Sequence, residues 1–207
     1  MRILIAIGCL TALISTMGPG DATAQADQGL SDQELIDPWL RAKAVVLSLG
    51  PLLDPTAADD QRGRVDAGLS KLGDELSELQ AELEKVAIRI VTVPEFAYEA
   101  SNKSSELSAQ VLAIEKSFDS LFGELKIRER SDVQAMQSSI ASLRQVLYKQ
   151  DRFERDVVRA IASGSKNEMQ ARAGQWWKVG ESVEGVKLAV EGLRTRSATT
   201  PDSKTRE

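Results

Sequence analysis

From Val65 the apolar positions run Val65, Leu69, Leu72, Leu76, Leu79, Leu83, Val86, Ile90 and Val93, in alternating steps of four and three. Two apolar residues per heptad, sustained for about four heptads, predict a helix that buries a narrow stripe in a coiled coil or bundle. Glu75, Glu82 and Arg89 flank the stripe, and Asp54 followed by Pro55 predicts its start, an N-cap and a first-turn proline. Pro94 interrupts the helix after the β-branched run Ile90, Val91, Thr92, Val93. The same beat then resumes through Ala97, Ala100, Ser104, Leu107, Val111, Ile114, Phe118, Leu121 and Leu125. Either the chain turns at Pro94 and a second helix runs back along the first, or one long helix kinks there. The nearly equal lengths of residues 55–93 and 95–129 favour the turn.

A third stripe is Val133, Met136, Ile140, Leu143 and Leu147, then Phe153, Val157 and Ile161. Gln150 and Glu154 occupy seam positions, so this stripe drifts. Gly164 has the place of a C-terminal glycine, and Ser165 with Glu168 spells a capping box for the next helix. That helix carries Met169, Ala173, Trp176, Val179, Val183, Val186, Val190 and Leu193. Its glycines, Gly174, Gly180, Gly185 and Gly192, are spaced six, five and seven, which does not put them all on one face. A shorter helix opens at Asp37 and Pro38, carries Trp39, Ala42, Val46 and Leu49, and stops at Gly50 and Pro51.

The expected fold is all-α: an elongated antiparallel helical bundle with coiled-coil-like heptad seams. Its helices span about 38–49, 55–93, 95–129, 132–163 and 166–194, within a domain of residues 27–194. Residues 195–207, almost without apolar content, read as a disordered tail.

Residues 1–26 change the picture of where the chain goes. Arg2 gives a positive start, residues 3–17 are an apolar run, and Gly18, Pro19 and Gly20 end it. Ala22-Thr23-Ala24 or Ala24-Gln25-Ala26 then supplies small residues at a cleavage site. This layout predicts a secretory signal peptide, cut after Ala24 or Ala26. The alternative, a retained membrane anchor, needs roughly 20 apolar residues, and this run has 15. Its proportions are those of a bacterial signal, so the expected location is the periplasm or the medium, with no integral membrane segment in the mature chain. Read as a lipoprotein box, Ala6, Ile7, Gly8 and Cys9 leave about six apolar residues ahead, too few for a signal core. Cys9 therefore goes with the signal, and the mature chain has no cysteine for a disulfide, nucleophile or metal.

Composition narrows the chemistry. The 207 residues include 26 basic and 31 acidic side chains and no histidine, for a net charge of -5. That balance argues against a nucleic-acid partner. Without histidine there is no Ser-His-Asp triad and no usual zinc or haem ligand. Glycine-rich phosphate loops, GxSxG, HExxH, CxxC and DxDxDG are absent from the sequence. Glu75, Glu78, Glu82 and Glu84 crowd one helix but mostly beside its stripe, as a solvated face would. Glu99 with Lys103, Glu124 with Arg128, and Asp151 with Arg155 have the i, i+4 spacing of helix ion pairs. Lys126, Arg128 and Arg130 form a basic patch that Glu124 and Glu129 dilute.

No catalytic, cofactor-binding or metal-binding residue is expected. The residues singled out for partner or ligand contact are aromatic: Phe96 and Tyr98 beside the Pro94 turn, and the adjacent Trp176 and Trp177. Neighbours on a helix point about 100° apart, so Trp176 fits the stripe and Trp177 falls at its edge beside Lys178. Packing of Trp177 against Trp39 is the structural alternative. Function is then expected to be non-enzymatic: a scaffold, adaptor or assembly subunit of the bacterial envelope, acting by helix-helix contact or self-association. The alternatives are a ligand-binding or sensory bundle with a pocket near Trp176 and the 94–98 turn, and a carboxylate enzyme, for which a narrow bundle offers no obvious cleft.

Overall fold

A computed structural model describes residues 29–53 and 59–199. The expected signal segment of residues 1–26, the Asp54 and Pro55 start signal and residues 200–207 lie outside the described residues. The described chain is helical, with no strand: α1 Asp32–Ser48, a 3-10 turn Gly50–Leu52, α2 Asp59–Thr92, α3 Phe96–Glu124, α4 Ser131–Tyr148, α5 Gln150–Phe153, a π-helical turn Glu154–Val158, α6 Arg159–Ala162 and α7 Lys166–Thr199.

Pro94 is a turn. Arg64 pairs with Glu124, Lys103 reaches Glu82 at 3.2 Å and Arg89 binds Glu99, so residue numbers fall on α3 as they rise on α2. That is the register of an antiparallel hairpin. The same logic orients the other neighbours. Asp66 meets Arg194, and Gly180 faces Leu83, so α2 and α7 are antiparallel. Ser108 donates to the Arg144 carbonyl and Gln137 to Asp119, so α3 and α4 are antiparallel. Ser48 accepts from Arg130 while Glu34 accepts from Arg152, so α4 and α1 are antiparallel too. The remaining pair differs: Asp32 meets Gln175, Lys43 covers Gly185, and Gly50 faces Leu193. Helices α1 and α7 run parallel. A ring in the order α2, α7, α1, α4, α3 has an odd membership, so one neighbouring pair must be parallel.

The stripes read from the sequence fill the interior. Val65 through Ile90 on α2, Ala100 through Leu121 on α3, Val133 through Leu147 on α4 and Trp176 through Leu193 on α7 are buried at their seam positions. Val93, Ala97, Leu125, Met169 and Ala173 are partly buried at the ends. Every seam is thus filled from within this chain.

Helix α1 starts six residues before the expected Pro38 boundary. Ser31 is its N-cap: its hydroxyl accepts from the Glu34 N–H, and the Glu34 carboxylate accepts from the Ser31 N–H. Pro38 sits inside the helix, where a proline costs about 3 kcal/mol. Burial of Leu30 and Leu35 with that capping box offsets the cost.

The third helix is not continuous over 132–163. It breaks at Lys149, whose ψ is 89°, and contains the π turn where the stripe drifts. Beyond the N-terminus of α1 the ring loses a member, and the π turn and α6 move in to pack on α7 and α3. One extra residue in the turn rotates the buried face from the Leu147 phase to Phe153, Asp156 and Val157.

Helix α3 ends at Glu124 rather than near 129, and α7 continues to Thr199, through residues that read as tail. The α3 end is a Schellman turn. The Lys126 N–H donates to the Gly123 carbonyl, the Ile127 N–H to Phe122, and Ile127 is buried. Lys126 therefore has φ 55°, a left-handed conformation. Gly164, at φ 64°, closes α6 in the corresponding way, and Ser165 accepts from the Glu168 N–H to open α7. The Glu168 carboxylate accepts from Ser163 Oγ, 2.7 Å away. Of the expected i, i+4 ion pairs, Asp151 with Arg155 forms at 2.9 Å. Glu99 turns to Arg89, Lys103 to Glu82 and Glu106, and Arg128 to Asp119. The basic patch is likewise drawn into local pairs, Arg130 with Asp132 and Arg128 with Asp119.

Two reciprocal substitutions check the turn chemistry. Lys126→Gly is expected to raise stability in urea unfolding by about 1 kcal/mol, and Gly164→Ala to lower it by a similar amount. A loss of stability on Lys126→Gly would remove the left-handed assignment.

Candidate functional site

The aromatic residues picked from the sequence separate into two classes. Phe96 is fully buried, with the Arg89 guanidinium 4.8 Å above its ring centroid. Trp176 is fully buried against Phe153, ring centroids 5.6 Å apart. Neither can meet a partner at the surface. The space beside Trp176, walled by Trp39, Leu83 and Leu147, is about 10 Å³, too small for a ligand. A pocket there is therefore corrected to packed core, and it is Trp176, not Trp177, that shares it with Trp39. Tyr98 is 89% exposed and Trp177 45% exposed.

Trp177 belongs to a larger feature. On α7, Leu188 follows it by eleven residues, three turns or about 16 Å, and is also exposed. On the parallel α1, Leu40, Ala44 and Leu47 are exposed at i, i+4 and i+7. Lys43, between them, lays its side chain 3.4 Å from the position a Cβ on Gly185 would take, which fixes this α1 face beside α7. Gly174, Gly185 and Gly192 are eleven and seven residues apart and share a line on α7; open space lies over Gly174 and Gly192. Gly180 faces α2 instead. Three of the four glycines thus form the common face that their summed spacing hides. Leu40, Ala44 and Leu47 thus stand on the outer face of α1, and Trp177 and Leu188 on the outer face of α7, with Trp177 turned toward α2, since it lies only three residues from Gly180.

The second feature is where the chain enters the bundle. Asp156, on the π turn, is buried with no exposure of its side chain. Its Oδ1 accepts from the Leu30 N–H at 3.1 Å and lies 3.0 Å from Arg172 Nη1. Gln175 Nε2 donates to the Leu30 carbonyl at 2.8 Å and to Asp32 Oδ1 at 3.0 Å. Asp156 Oδ2 is buried with no protein partner. A Cβ on Gly29 would fall 2.2 Å from Oδ1, so only glycine lets the chain pass here. Burial pushes the Asp156 carboxyl above the usual carboxylate range, opposed in part by Arg172 and the Leu30 N–H. For Glu34 burial also pushes upward, but the Ser31 N–H and Arg152 outweigh it and hold the carboxyl below its ordinary value. Beside Asp156 lies a cleft of about 220 Å³ between the π turn and the first turns of α7. Sequence reasoning missed it. The only signal was the drifting stripe, which put Gln150 and Glu154 on seam positions and so marked the segment without pointing to Asp156 itself.

Among the described residues no three His, Cys, Asp or Glu side chains gather as metal ligands, and no helix is long and apolar enough to cross a membrane. An all-helical bundle with apolar side chains exposed on α1 and α7 and one charged cleft is the class these features define. No family model matches the chain, and no curated protein or solved structure is significantly similar to it.

Substitution of Asp156 separates its two roles. Asp156→Ala leaves the Leu30 N–H buried without an acceptor, for a loss of about 1–3 kcal/mol. Asp156→Asn keeps the acceptor and is expected to lose less. The native carboxyl takes up its proton at higher pH than the unfolded one, so wild type gains stability as pH falls from the raised value toward about 3.9. The amide has no such gain. Denaturant curves from pH 7 to 4 should therefore show Asp156→Asn losing ground to wild type on acidification; parallel curves would refute the raised carboxyl.

Proposed function

We propose that the protein is an exported, non-enzymatic helical bundle of the bacterial envelope that holds a helix of a partner protein on the α1/α7 strip, the exposed outer faces of those two helices. The bundle's heptad seams serve coiled-coil-like packing within the chain, so the partner-binding surface lies outside them. The observation that carries the reading is the exposure of Leu40 and Leu47 on the outer face of α1 and of Trp177 and Leu188 on that of α7, beside the open glycines Gly174 and Gly192. Exposed apolar side chains gathered in this way mark interaction sites, and aromatics are prominent among binding residues. Missing Cβ atoms let a second helix approach closely, since side chains at the contact set interaxial distance. Glu181, Glu184 and Glu191 on one side and Lys43 and Lys178 on the other favour a partner helix whose apolar stripe is flanked by charges of both signs. Tyr98 lies on α3, away from this strip, and has no part in it.

Export and partner binding are tested separately. Amino-terminal sequencing of the protein isolated from its producing cells should begin at Gln25 or Asp27; retention of Met1 would remove export. A photo-crosslinking residue at position 177 or 188 should give one discrete heavier adduct in cells, lost on Leu40→Glu. The same residue at Lys71, exposed on α2, should give none. Equal labelling at position 71, or no adduct at the strip, overturns the partner reading. An adduct of twice the chain mass replaces the foreign partner with a second copy.

A further inference from the structure

We infer that α1 is a gate that undocks as one unit, while α4 closes on α7 and the other helices stay folded. The opening itself needs no partner; only its effect on the α1/α7 strip rests on the function proposed above.

The closed alternative is already built in one half of the molecule. Helix α1 packs on α4 and α7 and stands between them. It begins level with Gln175, which holds Leu30 and Asp32. Past that level the third segment meets α7 directly, through α6, the π turn and Phe153, whose ring centroid lies 5.6 Å from that of Trp176. The same contact can extend along the rest of α7. Trp39 of α1 shares one packed space with Leu143 and Leu147 of α4 and with Trp176 and Val179 of α7. Without α1 these two apolar stripes face each other. The break at Lys149, where ψ is 89°, is a joint on which α4 can swing toward α7. Topology favours the closure. Helix α4 is antiparallel to α1, and α1 is parallel to α7. A ring of α2, α3, α4 and α7 therefore has only antiparallel neighbours, the arrangement of an up-down four-helix bundle.

The docked state leaves polar groups unpaired where α1 sits. Trp39 Nε1 and Trp176 Nε1 are buried without a protein acceptor, and Asp156 Oδ2, where the chain enters α1, is buried without a donor. Such atoms oppose burial, and undocking returns Trp39 Nε1 to water. Pro38 leaves the helix without one of its internal hydrogen bonds. A helix of 17 residues with that defect does not hold its shape alone, so leaving the core and losing helix are one event. Elements of this kind open as single cooperative units while the remainder of a protein stays folded. Opening takes Leu40, Ala44 and Leu47 away from α7, so the strip exists only with the gate closed. A partner seated on the strip would hold α1 down, and release of α1 would release the partner.

Native-state hydrogen exchange of the whole chain, read by mass spectrometry on peptides from each helix, tests the gate without a partner. Amides of residues 35–48 should exchange together, at least about tenfold faster than the slowest amides of α2 and α3. Phe96→Leu places a cavity beside the Pro94 turn. Gly180 faces Glu84, so that turn lies past the level at which Asp32 meets Gln175, in the half that α1 does not reach. The substitution should speed exchange in α2 and α3 about tenfold and leave α1 unchanged, because the cavity is present whether α1 is docked or not. Trypsin acting on the unaltered chain in native buffer should cut after Arg41 and Lys43 at least about tenfold faster than after Lys71, Lys85 or Lys103. Three results overturn the gate: amides of α1 as slow as those of α2 and α3; an equal gain of exchange in α1 and α2 on Phe96→Leu; or cleavage within α1 no faster than within α2 and α3.

Discussion

One buried carboxylate governs how this bundle is put together. Asp156 stands where Gly29 and Leu30, the third helical segment and α7 converge. By accepting the Leu30 N–H it fixes the point at which α1 begins, and α1 converts one half of the molecule from four helical neighbours to five. The third segment must accommodate both halves. Beside α1 it packs as α4; past the end of α1 it must move inward to close on α7. A regular helix cannot do both without turning its stripe away from the core. The break at Lys149 and the π turn Glu154–Val158 are the adjustment. A buried carboxyl group in a mostly apolar interior is the cost, and Arg172 together with one main-chain donor offsets it only partly.

This explains which parts of the fold could be read from sequence. The seams on α2, α3, α4 and α7 were legible because each buries a constant face over many turns, and burial of that kind is written directly in residue spacing. The boundary of α1 was misread because Asp37 and Pro38 are a strong local start signal. Ser31 and Glu34 carry a better one, but a capping box gains its weight from Leu30 and Leu35 entering the core, which local spacing does not report. The charge pairs Glu99 with Lys103 and Glu124 with Arg128 failed for a related reason. Their cations and anions found partners on other elements at comparable distance, and exposed i, i+4 pairs contribute too little to prevent it.

The candidate sites divide along the same line. Trp177 at the edge of the stripe was legible because a 100° step from a buried Trp176 leaves no other direction. The strip it belongs to was not, since it is made jointly by α1 and α7, and their parallel pairing is a property of the closed ring. Phe96 shows the reverse case. A residue beside a turn reads as exposed, yet the hairpin folds it under Arg89 and into the core.

Helix α1 also stands last in the order of dependence. It has 17 residues, with a proline in its middle, and such a segment is a poor helix by itself. It gains order by burying Leu35, Trp39, Ala42, Val46 and Leu49. Full burial of a large apolar side chain contributes about 1.5–3 kcal/mol, so those residues together rival the net stability of a small domain. The strip has one wall on α1, and the cleft has one wall on the residues that lead into it. Both surfaces are thus complete only when α1 is docked, and the docking is pinned at one end by the Leu30 hydrogen bonds to Asp156 and Gln175.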